Sequence, residues 1–193
     1  MKFECLQLVG EINEKMEKEV FNFLTKMPKD VDTIFLFINS SGGVITSAIA
    51  IVNYLKLSGK NIVTINVSKC FSAANIIFLC TKKRYFLEHS KFMLRAVSSR
   101  DFDEDDLRGL LDFLENFKSS NFVQDDTDEF NLPSEYNFLV KNYLKDHSEI
   151  PDEILKKTFD DCECDYYFSE QELIDYKIAK KVSSLEEIIN DLN

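Results

Sequence analysis

The feature that most restricts this chain is the run Ile34-Phe35-Leu36-Phe37-Ile38, cut off by Asn39-Ser40-Ser41-Gly42-Gly43. Five consecutive apolar residues without alternation suit a strand buried on both faces. Directly after the glycines, Ile45, Ala48, Ile49, Val52 and Leu55 recur at helical spacing. A doubly buried strand feeding a helix is the unit of a mostly parallel sheet covered by helices. The flanking segments continue the pattern: strand Phe3–Val9, helix Met16–Met27, strand Ile62–Val67, helix Ala73–Cys80, and short strands Tyr85–Leu87 and Phe92–Leu94.

The second half changes character. Leu107, Leu110, Leu111, Leu114 and Phe117 follow helical spacing behind a run of aspartates. Asn121–Pro133 is acidic and aperiodic and reads as a loop or insertion. Glu135–Lys145, Pro151–Phe159 (Pro151 at the first helical position), Ser169–Tyr176 and a terminal stretch carrying Leu185, Ile188, Ile189 and Leu192 read as helices. At 193 residues one domain is expected.

Charge and cysteine use narrow the function. A net charge of −11 disfavours nucleic-acid backbones and anionic membranes as partners. The opening residues show no signal peptide and no apolar run reaches membrane-spanning length, so a cytoplasmic location is expected. Five cysteines lack a disulfide framework. Only Cys162 and Cys164 lie close together, too few for a structural zinc site, so no metal or other cofactor is expected. The aspartates at 101, 103 and 105 fail as a calcium loop, because Asp106 and Asp112 occupy the positions that need Gly and Glu.

Two junctions from strand to helix concentrate chemistry. Ser41-Gly42-Gly43 lets the backbone approach a ligand and aim amides at it, although a tight turn alone needs no more. Ser68-Lys69-Cys70-Phe71-Ser72-Ala73-Ala74 puts Ser72 at a helix N-terminus. A serine there is most often an N-cap, but the helix dipole also favours developing negative charge.

Taken together, these segments resemble the Clp protease proteolytic-subunit family. Asn39-Ser40-Ser41-Gly42-Gly43-Val44-Ile45-Thr46 is similar to its Ile-Asn-Ser-Pro-Gly-Gly turn, and the interval to Ser72 is the family's interval to its nucleophile. Arg84-Tyr85-Phe86-Leu87 with Ser90-Lys91-Phe92-Met93-Leu94 resembles the stretch before the family's catalytic histidine. Asp165-Tyr166-Tyr167-Phe168-Ser169 with Glu172 and Tyr176 resembles the one beginning at its catalytic acid. The resemblance implies an α/β, crotonase-like spiral of ββα units with a mostly parallel sheet and a helical handle. Residues 1–97 and 160–193 would form the head, about 98–159 the handle, with the acidic insertion near 121–133.

Carried over by position, the resemblance makes Ser72 the nucleophile and Asp165 the acid. Gly43 and Ala73 supply the oxyanion-hole amides, and Gly42 and Val44 border the substrate. The base, however, is Arg95. With a pKa above ~12 and no acceptor, arginine cannot take a proton from serine, but it can pair with a carboxylate. An Arg95–Asp165 ion pair across the vacated triad, next to Ser72, is therefore expected.

Substitute bases have weak credentials. His89 precedes Arg95 by six residues, roughly 20 Å along an extended strand. His147 belongs to the helical half, and Lys69 sits on a turn where a lysine is solvated. Three functions follow: an inactive or impaired subunit acting in assembly or peptide binding, a serine endopeptidase using a non-standard base, and a crotonase-type acyl-thioester enzyme. Homo-oligomers, including rings, are implied. A Clp ATPase partner is disfavoured because the sequence offers no counterpart of the family's axial N-terminal hairpin.

Overall fold

The structure is a computed structural model that describes residues 2–97, 132–161 and 165–192. Its elements run β1 (Phe3–Val9), α1 (Glu14–Lys26), β2 (Thr33–Ser40), α2 (Ile45–Leu57), β3 (Asn61–Phe71), α3 (Ala73–Phe78), β4 (Arg84–Phe86), β5 (Lys91–Leu94), α4 (Leu132–His147), α5 (Asp152–Phe159), β6 (Tyr166–Phe168), α6 (Glu170–Asp175), β7 (Lys180–Lys181) and α7 (Leu185–Leu192). The expected helix around Leu107–Phe117, residues 121–131 of the expected loop, and Cys162 and Cys164 lie outside the described residues.

The described strands join one sheet in the order β1-β2-β3-β4-β7, with β5 on β3 and β6 on β5. Every pair is parallel except β5–β6. The apolar run of β2 is shared between two cores. Leu36 and Ile38 face a core formed with Met16, Val20, Ile51, Leu55, Ile77 and Phe78. Phe35 faces the other side, with Val63, Ile65, Tyr85, Val182 and Ile188. Burial on both faces is the reason the run does not alternate.

Strand β3 runs through Ser68–Phe71 to the edge of Ser72, four residues past the expected end at Val67. Its register shows how. Ile38 pairs with Asn66 but Ser40 with Cys70, so two steps on β2 match four on β3. The irregularity hands β3 from one partner to another: residues 64–66 pair with β4 and 69–71 with β5. Buried Asn66 stabilises the crossover, with Nδ2 donating to the Lys91 carbonyl (2.9 Å) and Oδ1 accepting from the Ser68 amide (3.2 Å). Polar Ser68 and Lys69 hid this continuation from a reading based on apolar runs.

Other boundaries shift by smaller amounts. Helix α3 stops at Phe78 rather than Cys80, and Thr64 Oγ1 donates to the freed Phe78 carbonyl (2.8 Å). Helix α1 starts at Glu14 because Asn13 caps it, accepting from the amides of Lys15 and Met16 (both 3.1 Å). The buried stripe of α2 contains Ile51 where Ile49 was expected; Ile49 is half-buried. Leu132 and Pro133, assigned to the loop, have helical backbone, and a proline is tolerated in a first turn. Pro151 is the cap of α5 rather than its first residue. Helix α6 is closed by a capping box between Ser169 and Glu172. Among the described residues no helix is long and apolar enough to cross a membrane.

Candidate active site

The carboxyl ends of β2 and β3 bring the two junctions together. Ser72 has φ 51° and ψ −123°, a conformation that costs a non-glycine residue of order 1–3 kcal/mol. The N-cap alternative fails on geometry: the Ser72 side chain makes no cap hydrogen bond. What secures the turn is its surroundings. The Ser72 amide donates to the Met93 carbonyl (3.2 Å), and the same carbonyl accepts from Asn75 Nδ2 (2.7 Å). Asn75, buried in the first turn of α3, also accepts from Cys70 Sγ at 3.5 Å through Oδ1. Burial raises the Cys70 thiol's pKa well above its ordinary value, so it stays protonated and acts as packing.

The glycine turn lies against this serine. A Cβ on Gly42 (φ +96°) would stand 2.8 Å from the Phe71 carbonyl, 2.9 Å from Ser72 Cβ and 3.3 Å from the Ala73 amide nitrogen. Gly42 therefore has to be glycine for both space and conformation. Its amide donates to Ser40 Oγ (3.1 Å), a buried hydroxyl at the last position of β2. Gly43 (φ +144°) forms an isolated parallel bridge with Ile12. The Ile12 amide donates to the Gly42 carbonyl (2.9 Å) and the Val44 amide to the Ile12 carbonyl (2.8 Å). In a parallel pair bonded this way the central residue turns its own peptide groups outward, so the Gly43 N–H points away from Ile12. Ala73 opens α3, so its N–H has no intrahelical acceptor. Val44 is half-buried at the start of α2.

Arg95 and Asp165 are brought together by sheet register. Strand β5 pairs Leu94 with Tyr166, and one further step sets Arg95 opposite Asp165. Their side chains make a two-pronged ion pair: Nε donates to Oδ1 (2.8 Å) and Nη2 to Oδ2 (2.6 Å). The hydrogen bonds from Arg95 hold the Asp165 carboxyl below its usual pKa. The pair is half exposed, 52% for Arg95 and 28% for Asp165. It follows the strand whose Met93 carbonyl holds the Ser72 turn. Alongside, Phe71 and Tyr167 meet edge to face at 5.8 Å.

Both histidines are placed elsewhere. His89 occupies the β4–β5 turn with φ 64°, at the far end of β5 from Arg95, and its amide donates to Glu170. His147 ends α4, stacked on Tyr143 (4.1 Å between ring centres), with its carbonyl bound by Arg84 at the opening of β4. Parallel pairing of β3 with β4 sets Arg84 beside Thr64, seven residues before Phe71 ends the strand. Lys69 is exposed on β3 opposite Lys91. Ser40, Ile12 and Asn75 were not anticipated as site residues, although each fixes the turn; an asparagine in a helix's first turn behind a serine was the only hint of Asn75.

The fold and the site define a class: an α/β protein with a mostly parallel sheet and a strained serine between strand and helix. Solved structures with this architecture include ClpP1 from Listeria monocytogenes, at 16% identity and TM-score 0.66. An Asn-to-Asp mutant of ClpP1 from the same organism matches at 19% identity and TM-score 0.67. Each comparison covers 95% of this chain and 94% of the other. The sequence model of the Clp protease family matches residues 1–108. The chain belongs to the Clp protease family.

Proposed function

We propose that this chain is a Clp-protease-type subunit that keeps the family's serine and oxyanion geometry but has lost the proton acceptor. Ser72 is the nucleophile position, the Gly43 and Ala73 amides are the oxyanion donors, and Gly42 and Val44 border the peptide. Asp165 is the acid, and Arg95 takes the place of the base. The observation that carries this reading is the two-pronged Arg95–Asp165 pair. It engages both carboxylate oxygens that would otherwise orient an imidazole, and its guanidinium has no lone pair to offer Ser72. The subunit then acts in assembly or peptide binding rather than in turnover. Residues 1–97 and 160–193 serve as head and about 98–159 as handle, in a cytoplasmic ring-type homo-oligomer without cofactor.

A fluorophosphonate or β-lactone probe tests this. Wild type is expected to remain unlabelled, and Arg95→His to become labelled at Ser72, since restoring an imidazole beside Asp165 supplies the missing base. Labelling of wild type that disappears in Ser72→Ala, together with cleavage of a peptide substrate, would instead favour a serine endopeptidase with another base. Hydrolysis of an acyl-thioester by wild type would favour the crotonase-type alternative.

A further inference from the structure

A cavity of about 660 Å³ opens at the start of β4, and none of Ser72, Arg95 and Asp165 lines it. Its wall includes Arg84, only 8% exposed. Arg84 Nη2 donates to the carbonyls of His147 (2.7 Å) and Lys177 (2.9 Å), tying the end of α4 to the turn after α6. Among the described residues, the N–H groups on Nε and Nη1 are buried without an acceptor. No carboxylate among the described residues lies within ion-pair distance of this guanidinium. Burial holds its pKa below the ordinary value, a sign of a cation short of compensation.

The charges around the cavity point the same way. Lys177 is paired with Glu149, and Lys180 with Asp191 at 2.7 Å. Among the described lining residues that leaves Lys82, Lys83 and Arg84 with Asp146, an excess of two positive charges in a chain whose net charge is −11. Tyr85, Ile174, Ile178 and Leu192 provide apolar wall beside them.

We propose that this cavity binds a small phosphate monoester, its phosphate dianion held by Arg84, Lys82 and Lys83 and its organic part against the apolar wall. A dianion matches the charge excess, and its oxygens are the acceptors that Nε and Nη1 lack. The volume suits a small organic ligand rather than a bare ion. Those N–H groups have no accessible surface in the empty cavity, so binding requires the guanidinium to turn toward the phosphate.

Calorimetric titration and thermal unfolding of the full chain test this, with adenosine monophosphate, inorganic phosphate and acetate compared at matched ionic strength. The monoester is expected to bind with Kd below about 1 mM and to raise the midpoint of unfolding. Lys82→Gln/Lys83→Gln, at exposed positions, should weaken binding about tenfold without changing the ligand-free midpoint. Arg84→Lys should lose most of the affinity if it folds. Inorganic phosphate binding as tightly as the monoester would support the oxyanion site and make free phosphate its occupant. Acetate acting equally well, full affinity in the double variant, or no response to either phosphate would overturn the proposal.

Discussion

At the scale of single residues, the Arg95–Asp165 pair makes a pH-dependent contribution whose sign follows from the carboxyl's lowered pKa. The unfolded carboxyl titrates near ~4, so the pair's stabilisation is complete above that value and fades as pH falls through the lower folded-state pKa. With Arg95 half exposed the gain is at most about 1 kcal/mol. Urea midpoints at pH 7 and pH 3 should therefore converge slightly in Asp165→Asn relative to wild type; an unchanged difference would remove the pair from the balance. The glycines make a sharper prediction. Gly42→Ala is expected to cost about 1–3 kcal/mol, because its Cβ would press on Phe71 and Ser72 at positive φ. Gly43→Ala should cost more, since its Cβ would overlap the Ile12 carbonyl and reach 2.8 Å from the Ile12 amide nitrogen. Equal losses in thermal unfolding would contradict this order. Asn75→Ala should cost about 0.5–1.5 kcal/mol by stripping one of the two partners of the Met93 carbonyl.

At the scale of elements, the parts of the fold legible in the sequence were those where burial dictates residue type. Strand β2 was read correctly because both of its faces are packed, and α6 because a Ser and a Glu three apart announce a capping box. The second half of β3 was missed because Ser68 and Lys69 satisfy the backbone ladder without being apolar. Strands β6 and β7 were missed because three and two residues carry no period. Nor could local pattern show that β5–β6 register sets Arg95 against Asp165; that pairing came from family resemblance plus charge. Helix α7 is the element most open to test. It closes the second core with Ile188, 2% exposed, and Asp191 accepts from Tyr85 Oη at 2.6 Å. Ile188→Ala should lower stability by about 2–4 kcal/mol, measurable as a drop in urea midpoint. A loss under about 0.5 kcal/mol would mean that α7 packs too loosely to cover that face.

At the scale of the whole molecule, the sheet assigns different business to its two ends. The carboxyl ends of β2 and β3 carry the strained serine and the glycine turn, while the opening of β4 carries the buried Arg84 and its lysines. A ring-type assembly is expected by light scattering at micromolar concentration, and a persistent monomer would count against the proposed role in assembly. The fastenings of the Ser72 turn have a consequence for the neighbouring position. Among the described residues they are main-chain groups of Met93, Ile12 and Gly42 plus the side chains of Asn75 and Ser40, and these hydrogen bonds do not include the Arg95 side chain. The residue at 95 can therefore be exchanged without loosening the turn. The shape of the serine turn and the chemistry offered beside it are thus separately variable, the first held by the main chain and the second by one exposed side chain.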